Sequence, residues 1–282
     1  MKASMVKKAL LFILSISMLF SLSCAKDEER EDVSTTTHPL PKSKQIEMIG
    51  DESFIYTVYA DYVEIYSYVG GGAVVNVPQS LDGKVILSIG NKAFESNTTL
   101  TEVVLPDTLI NIEHRAFANC TALRKITMNG VKAIGSEAFK GSGLEKIDLP
   151  PVLENLGKYA LADTGIESCV LPASIIFPGD YAFAGCKNLK NVIFPATMTG
   201  ISARMFYNCP SIVEVNLPEQ IKKIGSYAYS SCPNLTKIYI PESVREIGEG
   251  FLYNSPNAVV VTPKGSFAEE FCKNHSINHE TV

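Results

Sequence analysis

The sequence predicts a β-rich solenoid of mixed α+β class, in which about eight repeats of 21–23 residues wind into a right-handed coil. A motif that recurs at nearly constant spacing along most of the chain indicates stacked structural units. Within most copies, apolar and polar residues alternate over a few positions before a proline, which is typical of short strands. The ends of the chain lack the motif, so we expect them to cap the coil.

Seven copies of the motif lie in register. They resemble "LTEVVLPDTLINIEHRAFANCTA" and start 21 to 23 residues apart, at Leu100, Leu123, Leu144, Ile166, Leu189, Ile212 and Leu235. A diverged copy at residues 74–99 keeps the Val-Pro and Ile-Gly-x-x-Ala-Phe elements and is predicted to form the first turn. Because each unit buries its apolar side only against its neighbours, no repeat is expected to fold alone.

The shared pattern is Leu-x-x-Ile-x-Leu-Pro, followed by Ile-Gly-x-x-Ala-Phe-x-x-Cys. It resembles the BspA-like bacterial leucine-rich repeat family, and the similarity covers about residues 54–275. The resemblance implies a parallel inner sheet, with short 3-10, helical or irregular segments on the outer side. It also implies a surface lipoprotein. BspA-like relatives are associated with adhesion to host matrix proteins or to other cells, and the resemblance implies the same role here.

The signature positions have structural explanations. In "LTEVVL", Leu100, Val103 and Leu105 are predicted to point inward and to form columns with their counterparts in other repeats. A proline ends most inner strands because it lacks a backbone N–H group. The glycine before the Ala-Phe pair is expected to form a sharp corner with positive φ. The glycines at this position are Gly90, Gly135, Gly157, Gly225 and Gly248.

Two repeats depart from the pattern. Pro178 replaces the apolar residue before the corner in the copy that starts at Ile166, and Leu161 occupies the aromatic position of an earlier copy. We predict a locally irregular outer wall near Pro178, through sequence drift or as a recognition feature, with drift favoured.

The predicted organisation is a lipoprotein signal peptide at 1–23, a disordered tether at 24–43, an N-terminal β cap at 44–73, the solenoid at 74–258 and a C-terminal cap at 259–282. The N-terminal cap alternates large and polar residues before a glycine-rich turn. In the C-terminal cap, a strand precedes a short helix that begins with a capping box of Ser266 and Glu269. Phe267, Phe271 and Cys272 are predicted to lie against the last repeat.

The N-terminus carries a targeting pattern. Three lysines precede an apolar run from Ala9 to Leu22, as in a secretory signal peptide. Small residues then precede Cys24, and here the segment resembles a bacterial lipoprotein signal, which implies acylation of Cys24. The following "CAKDEE" resembles a signal that carries lipoproteins to the outer face of the outer membrane. The alternative is a solvated charge run at a disordered start.

Charge restricts the class of partner. The formal net charge is −5, and removal of residues 1–23, with three lysines and no acidic residue, takes it to −8. So acidic a mature chain disfavours nucleic acid and anionic lipid surfaces as partners. We predict a lipid-anchored outer-membrane protein, exposed on the cell surface, that touches the membrane only through its anchor.

Three cysteines recur 23 residues apart at one slot of the repeat, namely Cys186, Cys209 and Cys232. Neighbouring copies should stack about 5 Å apart, within the Cα range of a disulfide. Disulfides need Cβ vectors that point together, whereas a column points them in parallel, so the pattern favours buried free thiols. Cys169 takes an inward position and is interpreted in the same way.

Motifs for catalysis or metal binding are weak. The chain has no glycine-rich phosphate loop and no Gly-x-Ser-x-Gly elbow. His275 and His279 could pair on a helix, but no third ligand or neighbouring glutamate completes a site. We therefore predict a protein that is not an enzyme and holds no cofactor or metal.

The residues that flank the inward position of each inner strand define the predicted binding surface, on the concave face. They carry mixed charge and an apolar stripe that includes Val170 and Ile193. β-branched residues also favour strands without any ligand, which is the simpler explanation of the stripe. The predicted ligand-binding residues are Glu102, Val104, Lys125, Thr127, Lys146, Asp148, Val170, Asn191, Ile193, Glu214, Asn216, Lys237 and Tyr239.

The predicted function is adhesin-like recognition of a protein or glycan ligand, for example host matrix, by this concave face. One alternative is a structural or scaffolding protein of the envelope, or an accessory of a surface glycan-uptake system. Another is a cryptic hydrolase. Inactivity across a hydrolase panel, with ligand binding lost on mutation of Tyr239 and Ile193, would discriminate against the hydrolase.

Overall fold

The computed structural model describes Leu40, residues 47–50 and residues 53–282. The predicted signal peptide, Cys24 and the predicted tether apart from Leu40 lie outside the described residues. Within these ranges the chain forms a β-solenoid with two columns of short parallel strands, a wall of turns and one short C-terminal helix. The predicted solenoid class is confirmed.

Three strands with antiparallel pairing precede the first turn of the coil. They are β1 (Glu47–Gly50), β2 (Phe54–Val58) and β3 (Tyr62–Tyr68). β3 pairs in parallel with β6 (Lys84–Ile89) of the coil, so the N-terminal strands continue one of its strand columns. The extra residues of the diverged copy form a hairpin between β5 (Ser80–Leu81) and β6. Its central residues, Asp82 and Gly83, have φ of 49° and 77°, as a type I′ turn requires.

The first column contains the predicted inner strands, and we call its exposed side the first wall. Each strand has three or four residues, and neighbours that pair do so in parallel. The strands are β4 (Val74–Asn76), β7 (Glu102–Val104), β9 (Lys125–Thr127), β12 (Ser168–Val170), β13 (Asn191–Ile193), β15 (Glu214–Asn216), β17 (Lys237–Tyr239), β19 (Val259–Thr262) and β20 (His279–Thr281).

The second column is built from two-residue strands that follow β6 in the coil. They are β8 (Asn111–Ile112), β10 (Ala133–Ile134), β11 (Asn155–Leu156), β14 (Gly200–Ile201), β16 (Lys223–Ile224) and β18 (Glu246–Ile247). The column is interrupted between β11 and β14, in the turn of the coil that contains Pro178. This interruption agrees with the predicted irregularity, because proline has no N–H group for the ladder.

The third side, which we call the turn wall, consists of tight turns. In one copy the N–H groups of Ala138 and Lys140 donate to carbonyls three residues earlier. The N–H groups of Glu137 and Phe139 donate instead to the next turn of the coil. Each segment of the turn wall is therefore hydrogen-bonded both internally and to its neighbour, without forming a helix.

The prediction of positive φ at the corner glycines is wrong. Left-handed backbone lies two residues after the corner, for example at Glu137 and Tyr159 with φ of 56° and 55°. Glycine is needed at the corner because a Cβ on Gly157 would lie 2.6 Å from the carbonyl carbon of Gly135 in the neighbouring turn. Close approach of two backbones therefore selects glycine here. The corner glycines without positive φ are Gly90, Gly135, Gly157, Gly225 and Gly248.

A column of aromatic rings runs through the core beneath the turn wall. The ring centroids of Phe117 and Phe139 are 5.4 Å apart, and Phe94 lies 4.8 Å from Phe117. Tyr68 of β3 stacks on Phe94 at 5.1 Å, so the N-terminal strands cover the end of the column. Leu161 occupies the same column and is fully buried.

The recurrent cysteines point into the core and donate hydrogen bonds. Sγ of Cys209 lies 3.1 Å from the carbonyl oxygen of Phe183, and Sγ of Cys232 lies 3.2 Å from that of Phe206. Ser255 occupies the same slot and donates in the same way. The described cysteines are all free and buried. The slot therefore selects a small side chain that can donate to a buried carbonyl, a role that the small-hydrophobe interpretation missed.

The C-terminal helix α1 (Phe267–Asn274) begins with a variant of the predicted capping box. Oγ of Ser266 accepts from the N–H group of Glu269 at 3.1 Å, as expected. The Glu269 carboxylate accepts from the N–H group of Gly265, one residue before the N-cap. Two N–H groups at the start of the helix are thus satisfied by side chains.

The helix and β20 close the end of the coil. Cys272 is fully buried, and the ring of Phe271 lies 6.1 Å from that of Phe251 in the last repeat. Phe267 remains exposed and contacts Phe271. β20 adds a final parallel strand to β19.

Candidate functional site

The predicted ligand-binding residues all lie on the first wall. In each three-residue segment the central residue is buried, as Val103 and Ile238 are, and the two flanking residues are not. The exposed ones are Lys125, Lys146, Asp148, Val170, Asn191, Ile193, Glu214 and Asn216, and the half-buried ones are Glu102, Val104, Thr127, Lys237 and Tyr239.

The register of the strands brings two β-branched side chains together. Val170 of β12 lies directly opposite Ile193 of β13. Their side chains are 59% and 55% exposed, so this apolar pair faces solvent. Ser168 and Asn191, the other exposed pair of the two strands, carry no charge. The centre of the first wall is therefore an uncharged, partly apolar ridge.

Charged pairs lie toward both ends of the wall. Glu102 and Lys125 are opposite each other, with Nζ and Oε1 2.7 Å apart. At the other end, the Glu280 carboxylate accepts a hydrogen bond from Lys237 at 3.2 Å and raises the pKa of that ammonium group. Such exposed pairs contribute little to stability, but they balance the charge of the wall around the ridge.

The first wall is open on one side of the ridge because residues 146–148 do not form a strand. A cleft with a free volume of about 370 Å³ lies between them and β12, and Lys146, Asp148 and Val170 are among its lining residues. The opening falls where repeats of 21 and 22 residues meet repeats of 23.

A second cleft opens on the other side of the ridge, between β13 and β15, which do not pair. It is a narrow crevice with a free volume of about 20 Å³, and Asn191, Glu214 and Asn216 are among its lining residues. The first wall thus presents a ridge with a cleft on each flank, and predicted residues from four repeats line the two clefts.

Phe194 accounts for the second cleft. It occupies the strand-end slot that Leu171 and Leu217 fill in neighbouring repeats. Its ring lines the cleft and meets the ring of Phe206 edge-on at 6.0 Å. A phenyl ring is bulkier than the leucine it replaces, so it holds the strands apart.

A buried polar group adjoins the same cleft. Tyr229 lines it and is fully buried, and its hydroxyl has no hydrogen-bond partner among the described residues. Burial raises the pKa of this hydroxyl well above its usual value, so it stays protonated. Neither cleft was predicted from the sequence, although unequal repeat lengths and a phenylalanine at a leucine position are visible near them.

The histidine pair does not form a joint site. His279 lies in β20, whereas His275 follows α1, and their Nδ1 atoms contact the carbonyls of Ile277 and Phe271. Within the described ranges, no group of three or more His, Cys, Asp or Glu side chains is placed to hold a metal ion. The same part of the chain contains no helix with the length and apolarity needed to cross a membrane.

Stacked units of 21–23 residues, with short parallel strands over continuous apolar columns, define a leucine-rich repeat solenoid. The family model of the BspA type leucine rich repeat region matches residues 87–176 and 154–272, with six copies. The chain belongs to this family.

Solved structures of bacterial leucine-rich repeat proteins are similar to the chain. One from Bacteroides ovatus has 24% sequence identity and a TM-score of 0.60, and the match covers 76% of this chain and 70% of that one. A leucine rich cell surface protein from Faecalibacterium prausnitzii has 19% identity and a TM-score of 0.56, with 78% and 77% covered. At these identities the likeness shows the fold alone. None of the curated proteins compared with the chain matches it.

Proposed function

We propose that the protein is a cell-surface binding module whose first wall recognises a protein or glycan ligand in the manner of an adhesin. The observation that carries the proposal is the exposed pair of Val170 and Ile193 on a ridge between two clefts. Uncovered apolar side chains beside concave surfaces are typical of recognition sites. Membership of a repeat family that presents extended binding surfaces supports the same reading.

The location is part of the proposal. The chain is anchored in the outer membrane through acylated Cys24 and displayed on the cell surface, where host matrix is one candidate partner. The description of the similar Faecalibacterium prausnitzii structure as a cell surface protein supports display. The membrane is touched only through the anchor, and nucleic acid is not a partner because the chain is acidic.

The first wall is tested with Ile193→Asp. A buried charge at a recognition site is unfavourable, so binding to a panel of matrix proteins and glycans should fall at least about tenfold. Ile176→Asp is the matched control, because Ile176 is 57% exposed and Ile193 is 55% exposed, but Ile176 lies outside the first wall. Equal binding by the two variants would contradict the proposal.

Display is tested by protease treatment of intact cells. The wild type should be cleaved, whereas Cys24→Ala and a variant with "KDEE" at 26–29 replaced by "AAAA" should be protected. If the wild type resists in intact cells and is cleaved after lysis, surface adhesion is excluded and a partner within the envelope becomes the better hypothesis.

A further inference from the structure

The turn wall carries a row of side chains that the first-wall proposal does not use. Two residues after the corner, successive turns of the coil present Tyr159, Tyr181, Arg204 and Tyr227 in left-handed backbone conformation. The rings of Tyr159 and Tyr181 stack at 4.2 Å. The guanidinium group of Arg204 lies 5.4 Å from the centre of the Tyr181 ring and 4.6 Å from that of Tyr227. The row is therefore a ladder of rings with one cation inserted in it.

A cleft with a free volume of about 440 Å³ opens beside this ladder, and we call it the tyrosine cleft. Tyr207 and Tyr253 occupy the same repeat position two turns apart and are 40% and 68% exposed. Ser230 holds that position in the turn between them, and its small side chain leaves the space open. Two turns span ~10 Å, which admits one saturated ring with a tyrosine on each face.

The tyrosine cleft contains an unused polar group. Ser230 is 1% exposed, and its hydroxyl has no hydrogen-bond partner among the described residues. Ser231 lines the cleft beside it. Buried hydroxyl groups are nearly always hydrogen-bonded, so the floor of the cleft has capacity for a polar ligand.

The charge of Arg204 is uncompensated, in contrast to the arginine at the same repeat position elsewhere. Arg115 is held between Glu95 and Glu137, with N–O distances of 2.5 and 3.1 Å. Among the described residues, no carboxylate forms an ion pair with Arg204, whose neighbours in the row are the rings of Tyr181 and Tyr227. A cation in an aromatic setting, without an internal counter-ion, complements an anionic group on a ligand.

We propose that the tyrosine cleft binds a carboxylated saccharide, such as a uronic acid or sialic acid unit. The pyranose ring lies between Tyr207 and Tyr253, its carboxylate pairs with Arg204, and a hydroxyl reaches Ser230. Aromatic faces are electron-rich and attract the C–H groups that cover the faces of a sugar ring. The site is independent of the first wall and uses different residues.

The test is calorimetric titration of the full chain, in detergent, with a galacturonic acid trisaccharide and its methyl ester, and with sialyllactose and lactose. The charged sugars should bind at least about tenfold more tightly than their neutral counterparts, since one charge-assisted pair contributes on the order of 1.5 kcal/mol. Tyr253→Ala should weaken binding about tenfold, and Arg204→Gln should remove the preference for the charged form. Tyr66→Ala, at an exposed position outside both the tyrosine cleft and the first wall, is the control and should bind like the wild type. Tyr239→Ala tests whether the first wall takes part.

Several outcomes would overturn the proposal. Absence of saturable binding by any acidic saccharide at millimolar concentration is one, and equal affinity for charged and neutral sugars is another. Binding that is lost in Tyr239→Ala but kept in Tyr253→Ala would move the site to the first wall. Binding of a polyglutamate peptide without binding of any sugar would assign the cleft to acidic peptides. Circular dichroism confirms that each variant is folded.

Discussion

At the scale of single residues, the corner before the turn wall is a point of close approach between successive turns of the coil. The backbone at Gly157 packs directly on that at Gly135, and the same contact recurs along the coil. The sequence shows that glycine recurs at this corner, but it does not show the physical reason why glycine is required there. A dihedral preference is a property of one residue, whereas this contact is with a residue 22 positions earlier.

Gly157→Ala should destabilise the protein by about 2–4 kcal/mol, because the added methyl group would force two packed backbones apart. Urea denaturation measures the change. The control is Gly71→Ala, since a Cβ at Gly71 would meet no atom within 4 Å. A Gly157→Ala variant as stable as the Gly71→Ala variant would contradict the close-approach explanation.

At the scale of elements, pairing between strands depends on what neighbouring repeats place at equivalent positions. Pro178 lies where the second column is interrupted, within the outer segment that was predicted to be irregular, and its missing N–H group explains the interruption. Phe194 interrupts the first wall through its volume, which the motif alone did not reveal. The alternation that placed the candidate site residues on the first wall is local, whereas the clefts between strands arise from differences between repeats.

The junction between the N-terminal strands and the first repeats holds two partly buried glutamates. Glu64 is in β3 and Glu113 follows β8, and Oγ of Ser88 donates to Glu113 at 3.4 Å. Burial, together with the charge of Glu64, raises the pKa of Glu113 from 4.5 to about 7. Burial also raises the pKa of Glu64. The folded state therefore holds more protons than the unfolded state between these values.

Stability should consequently fall as the pH rises from about 4.5 through about 7, because the raised pKa favours the folded state only while Glu113 is protonated. Glu113→Gln mimics the protonated form, so above about pH 8 it should be more stable than the wild type, by up to about 3 kcal/mol. Below about pH 4.5 the two should be equal. Thermal unfolding across pH measures this, with exposed Glu219→Gln as the control. A wild-type profile unchanged by Glu113→Gln would refute it.

At the scale of the whole molecule, the stability of the fold comes from contacts between neighbouring turns of the coil. The first and last turns each lack one neighbour, so both ends of the core must be covered. Tyr68 covers the aromatic column at one end, and Phe271 and Cys272 of α1 cover the last repeat at the other. The capping role of both ends was inferred because the motif stops there. The added strand β20 was not predicted, since three residues in "HSINHETV" carry no strand signal strong enough to identify it.

Deletion of residues 263–282 should remove α1 and β20 and expose the apolar end of the coil, including Phe251 and Val260. We expect loss of the soluble monomer, because an uncovered solenoid end presents both apolar surface and an unpaired strand edge. Size-exclusion chromatography and urea unfolding measure the effect. Phe267→Ser, at an exposed position, is the control. A monomeric deletion variant with an unchanged unfolding midpoint would show that the cap is dispensable.

The sequence by itself determined the repeat length, the strands, the inward columns and the family of this protein, because each depends on a pattern within one 21–23-residue unit. The tertiary structure decided which strands pair, where the first wall opens, why the corner is glycine, and that Tyr207 and Tyr253 flank Ser230. These features depend on side-chain volumes and charges compared between neighbouring turns. Residues about 23 positions apart meet only when the coil stacks them, and their fit is settled by packing.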